Sequence, residues 1–517
     1  MFNQVATNIQ SHPSAVRLSG LMNDLTVVQV VGPHNVEIAG ITTDSRAVQP
    51  GWMFVATEGE HTDGHRFVQS AMERGASCVV VQLPQYEAYL HQLLTPAYCQ
   101  HNGTAVVVVH DTRIAAAVLA DRFHGSPARN MTMIGVTGTN GKTTFTYLLS
   151  SVLEAAGIRS GLIGTVEYRI GSEIHPATFT TPPAEHLHAL LADMRDAGCA
   201  AVLMEVSSHA LALSRVHGID FDVSVFMNLT QDHLDFHGTM ERYSEAKARL
   251  FGEYTRGTAL INADDAAASV MGKKLGRRRR TFGTRPRSAY RIRDIEATST
   301  GTALTIDHAG VSHRIESSLI GRFNAWNITA AFAAGVEMGI TPPTVIRGIQ
   351  SLRTIPGRFE RIDSVDGVTA IVDYSHTPDS LEKALETARD IARDGRVISV
   401  FGCGGDRDQA KRPVMGAVAT RLSDVTIVTS DNPRSEDPRA IIDDILAGAV
   451  EGARVLSRIQ RRAAIHHALK IARAGDIVIV SGKGHENYQI IGGTRRHFDD
   501  REVVRRYFDD RRGGVKP

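Results

Sequence analysis

The stretch Gly135 to Thr144, GVTGTNGKTT, sets a lysine and two threonines directly behind a glycine-rich turn. Residue types in that order suit phosphate chemistry. The backbone N–H groups of Gly138, Thr139, Asn140 and Gly141 can cradle phosphate oxygens, and a helix starting at Lys142, Thr143 and Thr144 adds its own. Lys142 would lie against the outer phosphates, and the Thr143 hydroxyl would reach a magnesium ion. The usual spacing of such a loop has one more glycine, where this chain carries Val136.

Three further segments carry reactive side chains. EVSSH (205–209) ends a strand-like run in a carboxylate and hydroxyls, Glu205 and Ser207 among them, as a magnesium partner should. NLTQDHLDFHG (228–238) sets His233 four residues before His237, with Asp232 and Asp235 beside them. That spacing could hold zinc on a helix, but Gly238 and the strand before it read as a turn, and no third ligand is apparent. In TMERYSEAKARLF (239–251) an apolar stripe of Met240, Tyr243, Leu250 and Phe251 has Lys247 in its middle. Two readings stay open for that lysine: its ammonium snorkels into water, or the amine is neutralised by a partner or chemically changed.

These groups need a scaffold, and the surrounding pattern describes one. MTMIGV (131–136) reads as a buried strand, and FTYLLSSVLEAAG as a helix with Phe145, Leu148, Leu149, Val152 and Leu153 on one face and Gly157 as its stop. Strands and helices then alternate, which predicts an α/β protein with a mainly parallel sheet. From residue 357 one arrangement recurs: TAIVDYSHTPDS, VISVFGCGGDRD, VTIVTSDNPR and IVIVSGKGHE each run an apolar strand into a polar turn. Ligands bind at the carboxyl ends of parallel strands, so these turns should converge on one edge. They carry Asp373, His376, Asp406, Arg407, Asp431, Asn432, Arg434, Lys483, His485 and Glu486.

A chain of 517 residues exceeds one ordinary core. The succession of strand and helix patterns divides it into three domains, residues 1–128, 129–355 and 356–517. Lysine and arginine total 57 against 56 acidic residues, which gives no electrostatic case for nucleic acid or membrane. The basic run Arg277 to Arg280 reads as a solvated turn. Four scattered cysteines, Cys78, Cys99, Cys199 and Cys403, argue against a disulfide framework and fit a reducing cytoplasm. Neither a signal-like start nor a long apolar run is present, so no membrane insertion is expected.

The set TGTNGKTT, EVSSHAL, NLTQDHLDFHG, YSEAKARLF, FNAWNITAA, GRFE, DYSHTPDS, GCGGDRDQAKRP, DNPR and GKGHE closely resembles the Mur ligase family of peptidoglycan synthesis. The resemblance implies a UDP-substrate-binding domain, a central ATP-binding domain and a C-terminal Rossmann-like domain that takes an amino acid. It implies ATP, two magnesium ions, and carbon dioxide held as a carbamate of Lys247. Thr143 and Glu205 would serve one ion, and His233 and carbamylated Lys247 the other, with Lys142, Lys247 and His233 as the catalytic set. Asn327, Arg358 and Asp373 match further ATP contacts.

By the same resemblance, Ser45, Thr180, Thr181, Ser207 and Arg215 would hold a UDP-N-acetylmuramoyl-dipeptide. Arg407, Asp431, Asn432, Pro433, Arg434, Gly482 and Glu486 would hold meso-diaminopimelate, the arginine of DNPR pairing with its distal carboxylate. The implied reaction is an ATP-dependent, ADP-forming amide ligation through an acyl phosphate, by a cytoplasmic monomer. Competing readings are a lysine-adding Mur ligase, a folylpolyglutamate synthetase and, from another class, a P-loop switch or motor ATPase. Two departures from the family pattern are Leu213, where some relatives carry glutamine, and Glu60-His61-Thr62 in the uridine loop.

Overall fold

The computed structural model describes residues 15–512 except 24, 60, 61 and 274, so Glu60 and His61 lie outside the described residues. The chain forms two compact units. One holds the described residues up to Gly135 with Gly157–Ser224 and Arg249–Thr258; the other holds Val136–Ala156, Val225–Ala248 and the residues from Ala259 onward.

In the first unit, a five-stranded sheet runs in the order Val27–Val31, Ala105–Val109, Cys78–Gln82, Trp52–Val55, Gly40–Thr42. Only the first pair is antiparallel. The continuous apolar runs CVVV and AVVVV follow from burial on both faces. Cys78, Val80, Ala105 and Val107 enter one core, while Val79, Val81, Val106 and Val108 enter the other. Each fully buried aliphatic side chain contributes about 1.5–3 kcal/mol.

A larger sheet has the order Glu173–Pro176, Glu167–Ile170, Ser160–Ile163, Ala201–Glu205, Thr132–Thr137, Phe221–Phe226, Thr255–Asn262, Arg279–Gly283, Tyr290–Thr298, Gly301–His308, Val311–Ser317. It includes parallel pairs, but antiparallel pairs close both ends, a feature absent from the sequence reading. The last of these is a hairpin in which His308 faces Val311 across the two-residue turn Ala309-Gly310. Arg277–Arg280 is exposed at the start of an inner strand of this sheet.

Behind Thr132–Thr137, the helix Lys142–Ala155 buries Phe145, Leu148, Leu149, Val152 and Leu153 completely. It packs on the helices Asn324–Glu337 and Pro342–Ser351. The chain leaves it through Gly157 at φ 72°, the left-handed stop expected from the sequence.

The six-stranded sheet of the second unit runs Glu360–Asp363, Thr369–Asp373, Ile477–Ser481, Val397–Phe401, Val425–Thr429, Val455–Arg458. All pairs after the first are parallel. Three crossovers advance one way across the sheet, and the fourth returns to insert Ile477–Ser481 between the strands 369–373 and 397–401. Right-handed crossovers that advance in opposite directions must lie on opposite faces. The helices Pro378–Ala392, Lys411–Leu422 and Pro438–Leu446 accordingly share one core, and Arg461–Ile471 shares the other with Asp500–Arg512. All four polar turns therefore leave the sheet at one edge.

Candidate active site

The phosphate loop begins where the strand ends. Val136 is fully buried inside Thr132–Thr137, so the position of the missing glycine is strand, not loop. Gly141, at φ 89°, is the N-cap of the following helix. It has no side chain to satisfy the first-turn N–H groups, which stay available to an anion. A Cβ on Gly141 would meet Asn327 Oδ1 at 2.5 Å, so Asn327 is packed directly on the loop. Asn228 latches the loop from the other side: Asn140 N–H donates to its Oδ1 at 2.9 Å, and its Nδ2 donates to the Asn140 carbonyl at 3.0 Å. Lys142 is curled back, its Nζ donating to the carbonyls of Gly138 at 2.8 Å and Thr139 at 2.9 Å. Thr144 is buried in the first helical turn.

Lys247 does not snorkel. It is 1 % exposed, its Nζ donates to the Gly138 carbonyl at 3.0 Å, and it lies 4.5 Å from the centre of the Tyr243 ring. The ammonium groups of Lys142 and Lys247 thus share one carbonyl. Burial, with the charge of Lys142 added, holds the Lys247 amine well below its ordinary pKa, against a weaker pull from Asp232.

His233 stands at φ 55° immediately before the single helical turn Leu234–His237, so the expected turn contains a short helix. His237 is buried with its ring 5.1 Å from Tyr243, a packing role that its spacing from His233 did not reveal. The Asp232 carboxylate gathers His233 Nε2 at 3.3 Å, His376 Nε2 at 3.9 Å and Lys411 Nζ at 4.0 Å. Burial pushes its pKa up, but these three outweigh burial and hold it at about 2. Among the described residues no group of three or more His, Cys, Asp or Glu side chains is placed to hold a metal ion.

Two bonds tie the phosphate loop to the segments around the six-stranded sheet. Arg358 Nη2 donates to the Thr143 hydroxyl at 2.9 Å, with its guanidinium 4.4 Å from the Tyr374 ring centre. Asn140 Nδ2 donates to Asp379 at 2.9 Å, at the start of a helix fixed by a Thr377/Ser380 capping box. Asp373 accepts the N–H groups of Phe359 at 2.7 Å and Ser375 at 2.9 Å, which anchors the GRFE segment beside the strand end.

Further along that edge, Asp431, Asn432, Gly482 and Glu486 converge. A Cβ on Gly482 would lie 2.7 Å from Asp431 Oδ2, so only glycine lets the two turns approach. Lys483 is fully buried between them. Arg434, at φ 53°, donates to the Gly405 carbonyl at 2.5 Å and is held by backbone bonds to Ile490 and Gly492; Pro433 precedes it. Arg407 is exposed and donates to the Asp406 carbonyl at 3.0 Å.

Glu205, Thr180, Thr181, Ser207 and Arg215 come together in the first unit. Glu205 accepts both the N–H and the hydroxyl of Thr165, at 3.0 and 2.9 Å. The Thr165 hydroxyl also lies 3.0 Å from that of Thr180. Thr181 Oγ1 accepts the Ser207 N–H at 3.0 Å and donates to the Glu205 carbonyl at 2.7 Å, while Arg215 donates to the Thr181 carbonyl at 2.9 Å. Ser45 opens a short helix next to Thr43, whose hydroxyl donates to Glu185 at 2.5 Å.

Asn228, Lys411 and Asp379 were not singled out from the sequence, and Asp232 was named only as a neighbour of His233. Asn228 and Asp232 both precede His233 in one polar segment, a usable signal. Lys411 and Asp379 are recognisable only through the approach of distant turns.

Residues 136–335 match the family model of the Mur ligase middle domain, 357–484 that of the Mur ligase glutamate ligase domain, and 37–124 that of the Mur ligase catalytic domain. UDP-N-acetylmuramoyl-L-alanyl-D-glutamate–2,6-diaminopimelate ligase of Bacillus cereus is 43% identical over 497 residues, covering 95% of this chain and 98% of that protein. The enzyme of the same name from Geobacter metallireducens is 42% identical over 512 residues, with 95% and 98% covered. A solved structure of an enzyme of that name superposes with a TM-score of 0.66 at 32% identity, over 96% of this chain and all of the other. The latched phosphate loop, the convergent turns and these full-length matches agree: the chain belongs to the Mur ligase family.

Proposed function

We propose that the protein is an ATP-dependent ligase that adds meso-2,6-diaminopimelate to the D-glutamate of UDP-N-acetylmuramoyl-L-alanyl-D-glutamate, in cytoplasmic peptidoglycan precursor synthesis. The observation that carries the reading is one compact unit containing both a phosphate loop and a second polar site at the strand ends, linked by Asn140–Asp379 and Arg358–Thr143. A nucleotide switch or motor has no use for a charged small-molecule site of that kind. Relatives named for this reaction, identical at 43% over nearly their whole length, support the choice of substrates.

A carboxylate does not react with an amine until its oxygen becomes a leaving group. The γ-carboxylate of the D-glutamate attacks the γ-phosphate of ATP, giving an acyl phosphate and ADP. The amine of diaminopimelate then attacks the acyl carbon, and the tetrahedral intermediate expels phosphate. Lys142, released from the carbonyls of Gly138 and Thr139, follows the charge that gathers on the transferring phosphoryl group. The uncapped N–H groups at Lys142, Thr143 and Thr144 hold the phosphates, with Asn327, Arg358 and Asp373 as further nucleotide contacts.

Bound magnesium supplies charge neutralisation at the triphosphate. The hydroxyl of Thr143, the carboxylate of Glu205 and the imidazole of His233 are each of a type that can ligate a metal ion and are assigned to magnesium. An ammonium at Lys247 cannot ligate it, because it has only N–H donors; a carbamate there supplies the missing anionic oxygens. Its burial beside Lys142 favours an anion in the same way.

Ser45, Thr180, Thr181, Ser207 and Arg215 are assigned to the UDP-linked dipeptide. Arg407, Asp431 to Arg434, Gly482 and Glu486 are assigned to diaminopimelate. The domains correspond to residues 1–128, 129–355 and 356–517, and the chain acts as a monomer. The test is ADP release with UDP-N-acetylmuramoyl-L-alanyl-D-glutamate and a panel of diamino acids, with the product identified by mass spectrometry. Turnover with diaminopimelate and a new amide is expected. Turnover with lysine instead moves the protein to the lysine-adding branch, and ATP hydrolysis without either substrate supports the switch reading.

A further inference from the structure

The amino-acid end of the site contains a fully buried lysine, Lys483. Lys483 Nζ donates to Glu486 Oε2 at 3.0 Å, Asn432 Oδ1 at 3.1 Å and Asp431 Oδ1 at 3.4 Å, which uses all three of its N–H groups. Those acceptors lie on two turns separated by the strand Val397–Phe401. Asn432 Nδ2 also donates to Glu486 Oε2 at 2.8 Å, while its Oδ1 accepts the N–H of Ile490 at 3.0 Å. The amide is therefore fixed in one orientation. Both donors fall on Oε2 of Glu486, and among the described residues nothing is bonded to its Oε1.

We infer that Lys483 is a positioning residue for the incoming amino acid: it fixes Oε2 of Glu486, leaves Oε1 to accept a substrate ammonium, and sets the Asp431–Arg434 turn against it. This rests on the assignment of Glu486 to diaminopimelate. The groups facing Glu486 are Lys483, Asp431, Arg461, Tyr374 and Tyr488. Burial and the adjacent Asp431 push the Glu486 carboxyl above its ordinary pKa, and Lys483 is the main opposing influence. For Asp431 burial acts upward too, but Lys483 and Arg461 prevail and its pKa falls. Arg461 is locked elsewhere, in a bidentate pair with the buried Asp500 at 2.8 and 2.6 Å, and cannot replace Lys483.

The experiment compares wild type and Lys483→Met by steady-state kinetics with each substrate varied, from pH 6.5 to 9. The expected result is a KM for diaminopimelate raised on the order of 30-fold or more near neutral pH, with KM for ATP and for the UDP-linked substrate unchanged. The defect shrinks as pH rises, because loss of the cation moves the deprotonation of Glu486 to higher pH. Should Lys483→Met fail to fold, Lys483→Met/Asp431→Asn removes one charge of each sign and is compared with Asp431→Asn alone for the same pH-dependent defect. An unchanged KM for diaminopimelate, an equal rise for all three substrates, or a defect flat with pH overturns the inference. Absence of diaminopimelate turnover in the wild type overturns the functional assignment itself, a separate outcome.

Discussion

Lys247 and Lys483 are both buried, yet their surroundings are opposite. Around Lys247 the neighbours are a carbonyl, an aromatic ring and a second ammonium, and among the described residues no carboxylate is bonded to it. Around Lys483 two carboxylates and an amide oxygen satisfy every N–H. A buried charge persists when paired and is otherwise costly. The amino-acid end is thus electrostatically complete within the protein, whereas the phosphate end is a cation surplus that ligands must complete. Stability should depend on the first region and chemistry on the second.

The largest effect falls on the phosphate end. Lys142→Met removes a cation needed only once phosphoryl transfer begins, so kcat should drop on the order of 10³-fold while the melting temperature is retained. Stopped or quenched single-turnover ADP formation measures it. Lys247→Met should cost roughly 10²-fold in kcat and, compared with carbamate-free wild type, leave stability unchanged or higher by about 1 kcal/mol, because methionine suits the apolar stripe better than a buried amine without a carboxylate partner. The intact wild-type protein should carry the added mass of one carbon dioxide at Lys247. Full activity of Lys247→Met would remove the contrast between the two lysines.

Lys483→Met should behave in reverse, losing about 3–5 kcal/mol of stability in denaturant unfolding, since it strands the buried carboxylate of Asp431 and the half-buried one of Glu486. A smaller effect is expected next to it. Arg434→Met should lower kcat/KM for diaminopimelate about 10²-fold and leave any lysine turnover unchanged, by removing a partner for the distal carboxylate. An equal fall for both amino acids would mean that the arginine acts through the Gly405 carbonyl as a fold contact.

How far the sequence foretold this contrast can be judged from particular residues. The two-sided burial of TAIV, VISVF, VTIV and IVIV was legible because parallel strands buried on both faces leave continuous apolar runs. The anomaly of Lys247 was legible because a helix wheel is local. Lys483 could be placed on a polar turn but not given partners, because its pairing with Asp431 depends on the late return of Ile477–Ser481 into the sheet. The same holds for Asn228, whose latch on the phosphate loop requires knowing which segment lies beside it. The hairpin of residues 301–317 was hidden because its alternation is interrupted only by Ala-Gly.

The smallest predicted effect tests what shapes the phosphate loop. If its geometry is set within its own neighbourhood, the Asn228 latch and the packing of Asn327 should suffice, and the bond from Asn140 to Asp379 should matter little. Asp379 is partly exposed and already shared with Lys383 at 2.8 Å, one helical turn away. Such an exposed pair contributes about 0.2–1 kcal/mol. Asp379→Ala should therefore leave KM for ATP within about threefold of wild type, in keeping with that energy, whereas Asn228→Ala, which strips two bonds from Asn140, should raise it further. If Asp379→Ala instead matched Asn228→Ala, the loop would depend on the helix Pro378–Ala392 for its shape, and the phosphate end would be built by the strand-end turns as much as by its own strand and helix.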